Sequence, residues 1–167
     1  MDMITALAVS ISVLGAVATY LFIGFLPGLH LWAAFIAWAS FYGCGGKTTG
    51  LTNSVVANAF GALMAWIALI LVTKVLGSLG AFAAPLAVGV TVFILVMAAK
   101  LPALSAIPSM VYGYASTAAL FLLGKATADN LTEASLANPL VSIVISMIIG
   151  NIFGYVSEMV AGQIKSA

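Results

Sequence analysis

Four long stretches of this chain carry no charge at all: residues 48 to 73, 75 to 99, 101 to 124 and 134 to 157. Ahead of them, residues 1 to 46 hold one charge, Asp2, apart from His30. An α-helix rises 1.5 Å per residue, so about 20 apolar residues cross the ~30 Å hydrocarbon core of a bilayer. Each charge-free run meets that length. Only 5% of the 167 residues are charged and 64% are hydrophobic, whereas soluble domains carry roughly a quarter charged residues and about half apolar ones. A water-soluble surface cannot be built from this composition.

The apolar run from Met3 to Gly46 is long enough for two crossings, with Pro27-Gly28-Leu29-His30 as the break between them. The expected fold is an all-α integral membrane protein with six transmembrane helices, near residues 4 to 26, 30 to 45, 52 to 74, 82 to 99, 103 to 123 and 138 to 160. Connections are too short for a soluble domain, so residues 1–167 form a single membrane domain. The start Met1-Asp2-Met3 lacks the basic flank of a signal peptide, and the first span is expected to be retained. With six spans, Lys47, Lys100 and Lys165 fall on one side, and Lys74 and Lys125 on the other with Asp129 and Glu133. By the distribution of lysines near span ends, both termini are expected in the cytoplasm, with 124 to 137 as an external loop.

Leu7-Ala-Val-Ser-Ile-Ser-Val13 reads against Leu86-Ala-Val-Gly-Val-Thr-Val92, Phe41-Tyr42-Gly43 against Val111-Tyr112-Gly113, and Gly61-Ala-Leu-Met-Ala-Trp66 against Gly150-Asn-Ile-Phe-Gly-Tyr155. The order is kept across all three pairs. This suggests two copies of a three-span unit, about 1–78 and about 79–167; because three is odd, the second copy enters the membrane inverted, a 3+3 inverted-topology repeat of the kind common in transporters.

Four-residue steps, which keep to one helix face, meet Ser142, Ser146, Gly150, Gly154 and Glu158 in the sixth span, Ser105, Ser109, Gly113 and Thr117 in the fifth, and Asn53, Ala57, Gly61 and Ala65 in the third. Such small-residue ridges let helices pack closely in lipid. Asn58 and Asn151 stand out, since a carboxamide in the membrane needs partners that lipid cannot give. On the repeat alignment Asn151 corresponds to position 62, one turn from Asn58, so the two amides should sit on related faces near the two-fold axis. Together with Ser40, Ser109, Ser116, Thr117, Tyr42, Tyr112, Tyr114 and Tyr155 they could form an uncharged hydrogen-bonding path for a small neutral solute; the other reading of the amides is a clasp between helices.

The stretch Gly43-Cys-Gly-Gly-Lys-Thr-Thr-Gly50 ends like a phosphate-binding loop, but that motif requires a glycine where this chain has Phe41, and a strand before it. It is read instead as a glycine-rich turn after a short second span, since Trp32 to Gly43 makes only about 18 Å of helix. Gly43, Gly45, Gly46 and Lys47 are candidate hinge residues, either at the membrane surface or as an unwound segment dipping into it. Thr52, Asn53 or Ser54 is expected to cap the third helix, and Asn138-Pro139 to start the sixth. His30 beside Trp32 reads as an interfacial residue, and Glu158 as a carboxylate reaching for the surface at the end of the sixth span.

One His, one Cys and four acids spread over loops and helix ends offer no catalytic constellation and no metal site, so no enzyme activity and no cofactor are expected. A net charge of +1 with no arginine argues against nucleic acid as a partner.

Six spans in so short a chain, with FYGCGGKTTGL after the second and IPSMVYGYAS in the fifth, resemble small bacterial inner-membrane proteins of the YcdZ and YahC type. The resemblance covers the whole chain and implies an inner-membrane location; that family is known as a domain of unknown function and supplies no functional residues.

The expected function is a channel or facilitator for a small, uncharged polar solute of the urea or amide kind. The alternatives are an ion-coupled secondary transporter using Glu158, His30 or glycine-segment carbonyls, and a non-transporting membrane interaction subunit. So few short spans enclose little volume, and a homo-oligomer is expected, with interfaces made by the small-residue stripes.

Overall fold

The computed structural model describes residues 1–166 and contains six α-helices: α1 (Met3–Gly24), α2 (Leu31–Gly43), α3 (Lys47–Ile70), α4 (Ala83–Ala98), α5 (Ile107–Leu122) and α6 (Pro139–Ser166). Single turns extend three of them. A π-helical turn, Leu71–Val75, lengthens α3, and 3-10 turns at Gly77–Phe82 and Pro102–Leu104 lead into α4 and towards α5. Four of the resulting helices are long and apolar enough to cross a membrane, spanning Met3–Gly24, Lys47–Val75, Gly77–Ala98 and Pro139–Lys165; α2 and α5 are shorter apolar helices.

Local sequence explains where most of these helices begin. Asp2 caps α1, its carboxylate accepting from the Thr5 amide at 3.0 Å and the Thr5 hydroxyl at 2.6 Å, and those two bonds hold its carboxyl below the usual range. Asn138 caps α6 by accepting from the Leu140 amide at 3.0 Å, with Pro139 in the first turn, where its missing N–H costs nothing. The third helix departs from expectation. It starts at Lys47 rather than near 52, with Gly46 as its N-cap residue. All three expected caps therefore lie inside the helix, Thr52 exposed, Asn53 half-buried and Ser54 buried. The reason lies in the backbone: Gly45 (φ 90°) and Gly46 (φ 67°) turn the chain in the left-handed region, so α3 can start almost at once after α2.

Two tight helix pairs make the centre, α3 with α5 and α2 with α6, joined by the crossing of α3 over α6. Glycine permits the approach. A Cβ on Gly61 would stand 1.8 Å from the Met110 carbonyl oxygen, one on Gly113 1.9 Å from that of Asn58, and one on Gly150 2.0 Å from that of Ala34. The small-residue stripes of α3, α5 and α6 are thus helix contacts in this chain. Helix α1 packs on α6, and α4 on α3. Their outer faces carry exposed Ile4, Val13, Ile23, Leu86 and Phe93, a surface that suits hydrocarbon better than water.

Alternate connections meet at the same end of the bundle. At one end Gly28 lies against Leu136, and Lys74 lies 3.7 Å from Asp129. There the segment between α5 and α6 folds back: Ala126 packs with Ile143 and Met147, Leu131 is fully buried, and the Trp66 indole donates to the Leu131 carbonyl at 2.8 Å. At the other end Lys47 meets Glu158. Successive helices therefore run in opposite directions.

Candidate functional site

Where α2, α3, α5 and α6 converge, the interior is polar and uncharged. Asn58 occupies its middle. Its Nδ2 donates to the Ser109 carbonyl at 2.8 Å and to Ser40 Oγ at 3.1 Å, and its Oδ1 accepts from Asn151 Nδ2 at 3.0 Å. Asn151 spends its second proton on the Met147 carbonyl of its own helix, at 2.9 Å. Ser54, one turn before Asn58, donates to Ser40 Oγ at 2.7 Å, and Ser40 passes its proton to Ser109 Oγ at 2.8 Å. Cys44 Sγ closes the series 3.2 Å from Ser109 Oγ. Ser40, Ser54, Asn58, Ser109 and Asn151 are buried, and Cys44 is half-buried, so this polar seam runs from the α2–α3 turn into the middle of the bundle.

The two amides that the sequence places on related faces do meet, and they clasp α3 to α6. Not every group in the interior is paired: Ser116 Oγ, Thr117 Oγ1 and Asn151 Oδ1 are buried with no hydrogen-bond partner. In a low-dielectric interior an unpaired polar group costs about 1 to 3 kcal/mol, so these three atoms are where the interior would most favour an added donor or acceptor.

The remaining path candidates lie elsewhere. Tyr42 hydroxyl bonds Ser157 Oγ at 2.7 Å, and the Trp38 indole donates to the same oxygen at 3.0 Å. Ser10 donates to the Ser157 carbonyl at 2.7 Å, which ties α1 and α2 to α6. Tyr114 hydroxyl lies 3.0 Å from Thr91 Oγ1, joining α5 to α4. Tyr112 is 41% exposed on the outside of α5. Tyr155 meets Phe41 edge to face, with ring centroids 6.4 Å apart. The four tyrosines thus lie in four different surroundings, and none bonds to the seam. Ser157 was not singled out by sequence, although it continues the Gly150 and Gly154 face by one helical step.

Glu158 has a defined partner at the end of the bundle. Its carboxylate accepts from the Lys47 backbone amide at 2.6 Å and packs against buried Gly46, a contact the sequence did not suggest. It supplies from another helix the N-cap that Gly46 cannot supply to α3. The Gly-Lys-Thr segment is accordingly a turn between two helices and opens α3. His30, just before α2, donates its backbone N–H to Ser146 Oγ at 2.9 Å and has its ring 6.0 Å from that of Trp32; burial lowers its imidazole pKa from the ordinary value. Among the described residues, no three of His, Cys, Asp and Glu gather as a metal site would require.

A closely packed bundle of apolar helices around an uncharged polar seam is the architecture of a polytopic protein compatible with life in a membrane. The chain belongs to the family described as "Protein of unknown function (DUF1097)", whose model matches residues 8–162. No curated protein and no solved structure matches it.

Proposed function

We propose that this chain is a multi-pass inner-membrane facilitator for a small, uncharged polar solute such as urea or a short amide, built as a 3+3 inverted repeat and working as a homo-oligomer with both termini in the cytoplasm. The observation that carries the reading is the seam itself, a buried run of hydroxyl and amide groups without any charge at the crossing of α3 and α6. Hydroxyls and carboxamides both give and accept protons, so they can exchange internal bonds for bonds to a neutral solute one at a time. A permanent ion would find no counter-charge there.

Burial supports the repeat. Buried Gly61, Ala62, Ala65 and Ala68 of α3 fall in step with buried Gly150, Asn151, Gly154 and Ser157 of α6. Likewise Ala33, Ala34, Ala37, Ser40 and Phe41 of α2 fall in step with Ser109, Met110, Gly113, Ser116 and Thr117 of α5. The α3–α5 pair is then the image of the α6–α2 pair, and α4 on α3 the image of α1 on α6. For α2 and α5 this register differs from the match of Tyr42-Gly43 with Tyr112-Gly113, because buried surface follows helix contacts rather than shared aromatic residues. The likeness to inner-membrane proteins of the YcdZ and YahC type supports the location, and two halves meeting at a polar centre is the arrangement in which many transporters hold their solute.

The ion-coupled alternative loses its main carboxylate, since Glu158 is engaged at the start of α3. The packing-subunit alternative draws on the fully paired state of Asn58 and Ser40. Stopped-flow light scattering on proteoliposomes separates these readings: urea, formamide, acetamide and glycerol are tested without an ion gradient. Faster equilibration for a neutral solute, lost in Asn151→Leu protein that still assembles, is the expected result. Equal rates in protein-containing and empty vesicles for the whole panel would remove the facilitator reading.

A further inference from the structure

The end of the polar seam nearest the bundle surface lies under the α2–α3 turn. Cys44, the seam's outermost member, is itself part of that turn, half-buried and 3.2 Å from Ser109 Oγ. The Cys44, Gly45 and Gly46 amides tie the turn to the Ser40, Tyr42 and Phe41 carbonyls of α2, and from α6 it is held by the Glu158 side chain. Glu158 accepts the Lys47 amide at 2.6 Å, and a Cβ on Gly46 would come within 2.6 Å of its Oε1. Gly45, Gly46 and Lys47 all have positive φ, at 90°, 67° and 57°. For two glycines this is free of steric cost, but a lysine in the left-handed region pays for it and persists only where its surroundings impose it. The imposed contact here is the charge-assisted bond to Glu158. The carboxylate also has room to leave, because it borders an open recess of about 250 Å³ lined by Lys47, Thr48, Tyr155 and Met159.

We propose that Glu158 is a latch that keeps the turn Gly43–Lys47 closed over the mouth of the seam, and that its release exposes Cys44 and, behind it, Ser109 and Ser40. A strained residue tied to the neighbouring helix by a removable side-chain bond can take two states, bound and released, and the latch selects the bound one. That the latch gates a solute rests on the transport reading; that it governs access to Cys44 does not.

Cys44 is the chain's single cysteine, so its alkylation by N-ethylmaleimide in detergent-purified full-length protein reports the turn alone. Glu158→Ala should raise the labelling rate about tenfold, the range expected when an N-cap is lost. Glu158→Gln, which keeps an acceptor for the Lys47 amide, should fall between it and the parent. Gly46→Ala keeps the charge at 158 but drives the turn off the carboxylate, and should also label faster; this separates access from any change in thiol ionisation. Ser157→Ala, which removes hydroxyl bonds one residue away on α6, should label at the parental rate. Parental labelling in both Glu158→Ala and Gly46→Ala, or equal acceleration in Ser157→Ala, would overturn the latch. Flux measured on the same variants is a separate readout: absence of flux in every variant would sink the transport reading and leave the labelling result standing.

Discussion

Asn58 joins its own helix to three others, through Ser40 on α2, Ser109 on α5 and Asn151 on α6. Asn151 contributes less, one bond across to Asn58 and one to its own helix, with its Oδ1 unpaired. The two amides therefore differ in what their removal does. Hydrogen bonds between helices in membranes are worth on average about 0.6 kcal/mol, and a stranded buried group costs about 1 to 3 kcal/mol. Asn58→Leu removes the bonds to Ser40 and to the Ser109 carbonyl and strands an Asn151 proton, and should lower stability by about 2 to 3 kcal/mol. Asn151→Leu also deletes an unpaired oxygen and should cost about 1 kcal/mol. Denaturation in mild detergent, followed by helical circular dichroism, measures both; equal losses would mean that the seam is not centred on Asn58. The amides themselves are conspicuous in an apolar sequence. That Ser54 and Cys44 belong with them is not, because hydroxyls and thiols also satisfy themselves on their own helix.

At the scale of helices, the bundle depends on backbone approaches that only glycine allows. Gly61 and Gly150 face carbonyl oxygens at distances no Cβ tolerates, whereas a Cβ at Gly89 or Gly24 meets nothing within 4 Å. Gly61→Ala and Gly150→Ala should prise apart the α3–α5 and α2–α6 pairs, giving aggregated or unfolded protein on size-exclusion chromatography. Gly89→Ala should be neutral or slightly stabilising, since alanine is favoured over glycine in a helix by about 1 kcal/mol. The two groups of glycines look alike in sequence except that Gly61, Gly113, Gly150 and Gly154 lie on four-residue stripes. That periodicity made the packing faces legible, while the partner of each face stayed hidden. A helix start was legible at Asn138-Pro139, where a side chain caps its own helix. The start of α3 was not legible, because its cap comes from Glu158, far along the chain.

Over the whole molecule, contacts between alternate connections set the sidedness of every loop. Lys74 and Asp129 share one end, and Lys47 and Glu158 the other. In a Cys44→Ser background, cysteines placed at 74 and 125 should react with a membrane-impermeant thiol reagent from one face of oriented vesicles, and cysteines at 100 and 165 from the opposite face. Reaction of 125 and 165 from the same face would break the alternation and, with it, the proposed inverted repeat. The lysine grouping was readable from spacing alone, because each charge-free run is one helix long. What the runs could not reveal is the folding of Ala126 and Leu131 into the bundle end, which depends on a helix pair formed elsewhere.

By itself the sequence determined the elements: the breaks of its long uncharged runs at proline, glycine and lysine count out six helices, apolar enough to be compatible with a membrane. Which faces must pack closely also followed, because small residues recur at the helical period. Only the tertiary structure decided which helix each face meets, that the amides bond to each other, and that the turn after α2 is pinned by a carboxylate from α6. The physical reason is range. Hydrophobicity, helical period and local capping act within a few residues and leave their mark in order along the chain, whereas a hydrogen bond between positions 58 and 151 exists only after the helices carrying them have crossed.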